Sequence, residues 1–166
     1  GTPSKILGIA NSYDSENMKI QLANKSSITA DELIDIQETI PDTYQTKAYW
    51  IMNRDTRKKI RKLKDSEGNY ILNRAFNEIW DYELLGKPVY CSEKAEKLGT
   101  ESKPVIFYGD FSGLAIKEIE AMEIQILLEK FATQHAIGVV GYSELDAKVE
   151  NTQKIAVAVA GTTDAA

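Results

Sequence analysis

Between residues 48 and 64 the hydrophobic period changes abruptly, and that change constrains the fold more than any other feature of the chain. "KAYWIM" alternates, with Ala48, Trp50 and Met52 on one side, and is rich in strand formers. Asn53 then offers a cap for a helix in which Ile60 and Leu63 face inward and Arg and Lys take the other faces. A strand that runs straight into an amphipathic helix calls for a sheet with helices on its face.

The flanking segments extend this pattern. "TADE" is a capping box, with Thr29 at the N-cap and Glu32 three residues on, and Leu33, Ile36 and Ile40 recur at helical spacing until Pro41. After the basic helix, "DSEGN" reads as a turn with Gly68 left-handed, and "YIL" precedes a weaker segment around Trp80. "LLGKPVYC" predicts a turn at Gly86–Pro88 leading into a strand, and "PVIFY" a short buried strand ending at Gly109–Asp110. The last third is dominated by strand signals: "LAIKEI", "MEIQILL", "HAIGVVGY" and "KIAVAVA". Within it "EAMEIQILLEKFATQ" imitates a helix, and "GTTDAA" is expected to fray. The expected fold class is α+β, a mixed β-sheet flanked by helices with a strand-rich C-terminal part.

Charge singles out one element. Seven of the eleven residues from Arg54 to Lys64 are basic and one, Asp55, is acidic, a local +6 in a chain of net charge -5. The other residues therefore sum to -11, which argues against a general nucleic-acid binder. The basic helix suits three readings: a solvated amphipathic face, a surface that docks on an acidic partner, most simply another copy of the chain, or direct DNA readout. The last would need a preceding helix and tight turn, where this sequence has a strand.

Signals for chemistry are weak. At 166 residues, 43% hydrophobic and 27% charged, the composition is that of an ordinary globular protein. One cysteine, Cys91, permits no internal disulfide, and one histidine, His135, with that cysteine cannot build a zinc site. Cys91 and His135 as a nucleophile–base pair would lie 44 residues apart with no motif around either. Gly138 and Gly141 in "GVVG" lack a phosphate loop's context, and strand bending or close packing is the expected role. The opening "GTPSKILGIAN" does not read as a signal peptide, and "IAVAVA" is too short to cross a membrane, so a soluble intracellular chain without cofactors is expected.

Several motifs then converge on one family. Trp50, Met52, Asn53, Leu63, Lys64, Asp65, Gly68 and Tyr70 match a strand end, a helix reaching Leu-Lys-Asp and a Gly-x-Tyr turn that resemble the major capsid proteins of tailed double-stranded DNA phages, the Hong Kong 97 type fold. Leu84, Gly86, Pro88 and Val89 resemble that family's Leu-x-Gly-x-Pro-Val segment. Gly109, Asp110, Phe111 and Ser112 resemble its Phe-Gly-Asp-Phe-Ser step. "PSKILGI" is similar to the segment that opens this half of the family, with its glycine displaced. "AIGVVGYSELDAKVENTQKIAVAVA" is similar to the closing strands, with Glu144 and Asp146–Ala147 at a turn where relatives carry Arg and Asp-Gly.

The resemblance implies a C-terminal half: residues 1–115 as most of the axial domain, 116–150 as part of the peripheral domain, and 151–166 as closing strand and tail. The N-terminal arm, E-loop and spine helix of whole relatives have no counterpart in the sequence. It implies a non-enzymatic shell subunit, found in the virion and before assembly in the host cytoplasm. Its partners would be other copies of itself and scaffolding and portal proteins, with no membrane and no sequence-specific nucleic acid. On that reading Arg57, Lys58, Arg61 and Lys62 are candidate subunit-interface residues. An encapsulin-type compartment shell and a small α+β enzyme are the alternatives.

Overall fold

The computed structural model describes residues 8–11, 18–64, 68–70, 73–74, 82–118, 123–127, 130 and 135–164. Strands β1 (Lys19–Gln21), β2 (Tyr49–Met52), β3 (Asn73–Arg74), β4 (Tyr82–Leu84), β5 (Lys87–Cys91), β6 (Pro104–Gly109) and β11 (Ile155–Val159) form one mixed sheet in the order β1-β11-β6-β2-β5-β4-β3. The pairs β1–β11 and β2–β5 are parallel, and the described neighbours otherwise antiparallel. Strands β7 (Leu114–Glu118) and β10 (Leu145–Val149) pair as one two-stranded ribbon, and β8 (Glu123–Leu127) and β9 (Gly138–Tyr142) as another. Helices α1 (Ala30–Glu38), α2 (Asp42–Gln45) and α3 (Arg54–Ile60) complete the α+β architecture.

Alternation divides the core. Trp50 and Met52 of β2 and Ala156 and Ala158 of β11 face the helices, where they join Leu33 and Ile36 of α1 and Ile60 of α3. Ile51 of β2 and Ile155, Val157 and Val159 of β11 point to the other face, where Phe107 of β6 lies beside them and Met18 and Val149 join the cluster. The β11 repeat of small and branched residues thus has a physical reason: alanines let α1 approach the sheet closely, while the branched residues fill the opposite face. Each large side chain so buried contributes about 1.5–3 kcal/mol. Trp50 also donates its indole N–H to the Leu84 carbonyl at 3.1 Å, which ties β2 to the hairpin beyond β5.

The capping box forms as expected: Thr29 Oγ1 accepts the Glu32 N–H at 3.3 Å, and Glu32 Oε2 accepts the Thr29 N–H at 2.7 Å. Gly109 ends β6 at φ +142°, and a Cβ there would lie 2.1 Å from the Lys154 carbonyl oxygen. Only glycine fits where β6 crosses the chain entering β11. Beyond the basic helix, Lys64 bridges Tyr70 in antiparallel register and Gly68 is left-handed at φ +88°, while residues 65–67 of the expected turn lie outside the described residues.

Other expectations are corrected. The turn placed at Gly86–Pro88 is centred on Leu85 (φ +51°) and Gly86 (φ +72°), a two-residue hairpin between β4 and β5 with both central residues left-handed. Pro88 lies inside β5 opposite Glu83, next to the pair Leu84–Lys87 that closes the turn. Antiparallel pairs alternate between bonded and non-bonded, so Pro88 falls where no rung to β4 is lost. The turn expected over Glu144–Ala147 is shorter, because Asp146 and Ala147 are already in β10, paired with Lys117 and Ile116. Gly141 has open space where a Cβ would sit, so close packing does not explain it.

The tail expected to fray is held through Asp164. The Lys25 N–H donates to the Thr163 carbonyl at 3.1 Å, and the Ser26 N–H to Asp164 Oδ1 at 2.7 Å. The "PSKILGI" match up to Leu7, Asp65, Ile71 and Leu72 of "YIL", and the segment around Trp80 lie outside the described residues.

Candidate subunit interface

The basic helix starts where β2 ends, and Asn53 joins the two. Its side-chain oxygen accepts the Asp55 N–H at 3.0 Å as the N-cap, and its amide nitrogen donates to the Ala95 carbonyl at 2.9 Å. One helical turn on, the buried Thr56 hydroxyl accepts the Leu98 N–H at 3.1 Å. Ile60 is fully buried one turn further, and Leu63 packs half-buried against the same core. Residues 53, 56, 60 and 63 therefore form the inward stripe of α3 and its exit, and the cations are left on the outer faces.

Those cations do different jobs. Lys59 donates its ammonium to the carbonyls of Ser26 and Leu98, each at 2.9 Å, and thereby clamps α3 to two loops. Arg57 is half-buried with its guanidinium 4.4 Å from the Tyr82 ring centroid, and Arg61 stacks on the same ring at 5.1 Å. Arg61 also donates to the Tyr82 hydroxyl at 3.3 Å. Arg54, Lys58 and Lys62 are exposed and form no ion pair with another described residue. Lys64 sits 5.0 Å from the Tyr70 ring, on the turn after the helix.

A groove of about 930 Å³ follows this face. It is lined by Arg54, Asp55, Arg57, Lys58, Arg61, Tyr82, Glu93 and Lys97. Five cations thus face two carboxylates. Asp55 is bound to Lys97 at 2.7 Å, and that hydrogen bond, with the Lys97 charge, holds its carboxyl below the usual range. The same partner raises the Lys97 ammonium. A carboxylate locked in its charged form is unsuited to proton transfer. Burial pushes the Cys91 thiol up, away from nucleophile activation. Among the described residues no cluster of His, Cys, Asp and Glu could hold a metal ion, and no helix is long and apolar enough to cross a membrane.

Of the four residues singled out by sequence, three line this groove: Arg57, Lys58 and Arg61. Lys62 is not part of its lining. Tyr82 and Lys97 are additions that sequence reasoning missed. Tyr82 comes from a strand more than twenty residues away, and nothing local marks it as the ring on which two arginines stack.

The sequence model of the phage capsid family matches residues 1–160. Among solved structures, the capsid of an empty GTA particle superposes with a TM-score of 0.69 at 19% identity, covering 86% of this chain and 49% of that one. The capsid of the native GTA particle gives 0.70 at 18% identity with the same coverage. A chain from Gordonia phage Cozz gives 0.57 at 11% identity, over 87% of this chain and 50% of that one. The fold is therefore that of capsid proteins, and the chain spans about half the length of the solved chains it matches. A search of curated proteins found no match.

Proposed function

Because the chain belongs to the phage capsid family, we propose that it is the C-terminal half of a shell subunit that assembles with copies of itself around packaged double-stranded DNA. The observation that carries this is the family match over residues 1–160, supported by the capsid fold. The reading is of a structural protein. Shell formation needs repeated interfaces of moderate strength with charge complementarity to set register, and no catalytic group.

Residues 1–115 then form most of the axial domain and 116–150 part of the peripheral domain. The passage from the seven-stranded sheet into the ribbons at β7 supports a boundary near Leu114. β11 supports one refinement: the closing strand returns to the large sheet between β1 and β6, and so belongs with the first domain. In this reading Arg57, Lys58, Arg61 and Lys62 meet a neighbouring subunit. Portal and scaffolding proteins are further partners, and the subunit passes from host cytoplasm to virion shell.

The test is negative-stain electron microscopy of the subunit expressed with the sequence that flanks this chain in its gene. Closed, uniform polyhedral shells containing DNA in infected or induced cells are expected. Shells filled with a cargo enzyme instead would assign a compartment, and a monomer under all conditions would overturn the assembly role.

A further inference from the structure

The outward face of α1 carries the opposite charge to the α3 groove. Leu33 and Ile36 bury one side of α1, and helical geometry puts Asp31, Asp35 and Glu38 together on the other, all exposed. Asp42, at the start of α2, is a further exposed acid, and from Ala30 to Gln45 there are five acids and no Lys or Arg. Glu32 is used internally, since its two oxygens accept the Ala23 and Thr29 N–H groups. Asp31, Asp35, Glu38 and Asp42 form no ion pair with a described residue.

This arrangement works against α1 itself. Asp31 and Asp35 are like charges four residues apart, and Asp35 and Glu38 three apart, which destabilises a helix. Glu38 sits at the C-terminal end, where the helix dipole favours a cation, and the last turn contains no basic residue. Asp31, in the first turn, suits the helix dipole, but helix stability gives no reason for Asp35 and Glu38, whereas an external cationic surface does.

The α3 groove has matching chemistry and spacing. Tyr82 holds the planar forks of Arg57 and Arg61 in place, one helical turn apart, and such forks bind carboxylates in two-point contacts. Asp35 and Glu38 are likewise one turn apart. We propose that the acidic stripe of α1 in one copy seats in the α3 groove of the next, a partner assignment that rests on the reading of α3 as a subunit contact. Patch and complement are different surfaces of one chain, and the contact proposed is the head-to-tail one, in which each copy's groove receives the stripe of the copy before it. Such contacts close into rings when the rotation permits, unlike a self-complementary two-fold.

Charge exchange in the subunit, expressed with its flanking sequence, tests this. Three variants are compared by light scattering and negative stain: Lys58→Glu with Arg61→Glu, Asp35→Lys with Glu38→Lys, and all four together. Unfolding curves check that each exposed substitution leaves the fold intact. Each pair alone should lower ring or shell yield at least about tenfold, and the fourfold variant should recover most of it. No recovery overturns the pairing. Normal assembly of the acidic-face variant beside failure of the basic-face variant also overturns it, and leaves α3 as a contact for something else, DNA phosphate included. Normal assembly of the basic-face variant removes the underlying reading as well. Independently, carbodiimide treatment of particles built from mixed ¹⁴N and ¹⁵N subunits should yield mixed-label peptides joining Lys58 or Lys62 to Asp35 or Glu38. Same-label links only, or none, count against it.

Discussion

The Thr56 hydroxyl and the Leu98 amide, both buried, hold α3 to the loop before β6 through a 3.1 Å hydrogen bond. Around it, the Asn53 amide reaches Ala95 and the Lys59 ammonium reaches Leu98, so three inward or flanking polar groups of a short helix meet one loop. A helix of seven residues has little stability of its own, and these contacts set its position. Thr56→Val keeps the shape and strands the Leu98 N–H. The expected loss is about 1–3 kcal/mol, read from the denaturant midpoint, with Thr56→Ser losing less. An unchanged midpoint for Thr56→Val would show that the bond adds nothing.

Gly109 and Lys154 define a second point of contact. A Cβ on Gly109 would meet the Lys154 carbonyl oxygen at 2.1 Å, in a backbone region that side chains rarely adopt. Gly109→Ala is expected to cost at least about 3 kcal/mol, since strain and overlap act together. Gly113→Ala is the comparison, because its φ is ordinary and its nearest atoms, Lys154 Cβ and Cδ at 3.1 Å and the Asn151 carbonyl oxygen at 3.2 Å, need give only a few tenths of an ångström. Equal unfolding curves for the two variants would refute the distinction.

How much of this was legible in the sequence depends on the range of the interaction. Thr29 and Glu32, Trp50 and Met52, and Asn53 announce themselves because capping and strand alternation act over two to four residues. Lys59 looks like any other cation of its helix, and only the approach of Ser26 and Leu98 makes it a clamp. Leu85 was missed as a turn residue because leucine does not signal a positive φ, and the register of β4 and β5 imposes it. β1 is only three residues, Lys-Ile-Gln, too short for a period to show, and takes its conformation from β11. The groove shares this limit: the four cations on α3 were visible, whereas Tyr82, which orients two of them, arrives by tertiary pairing.

Asp110 should make stability pH-dependent. Burial pushes its carboxyl up, but hydrogen bonds from the Ser112 N–H and hydroxyl and the nearby Lys154 and Lys47 charges outweigh this, and the folded pKa lies below the ordinary value. A lowered folded pKa means stability that is complete above the unfolded carboxyl's value, about 4, and lost as pH falls through the folded one. Asp110→Ala, which also removes the cap on Ser112 at 3.0 Å, should therefore cost about 1 kcal/mol at pH 7. The gap from the unchanged protein should narrow steadily below pH about 4. A gap independent of pH from 7 to 2 would assign the loss to packing alone.

The ribbons make the last prediction. On β8 and β9, Ile124 and Ile126 share a face with Val139, directly opposite Ile126, and all three are more than 60% exposed. On β7 and β10, Ile116 is as bare, opposite Ala147, and Leu145 lies on the same face. Two-stranded ribbons are marginal alone in water, and an apolar face with unpaired strand edges invites association. The sheet's two core clusters include Leu114 and Val149 of the β7–β10 ribbon but no residue of β8 or β9, so the β8–β9 ribbon should respond to substitution separately from the sheet. Ile124→Thr with Ile126→Thr keeps β-branched residues in the strand and removes apolar surface. Concentration-dependent self-association of this chain and its binding of a hydrophobic dye should both fall. The cooperative unfolding of the large sheet, followed by Trp50 fluorescence in a Trp80→Phe background, should shift by less than about 0.5 kcal/mol. Unaltered dye binding would mean that the exposed isoleucines are not the sticky surface, and a large shift in unfolding would mean that ribbon and sheet form one cooperative unit.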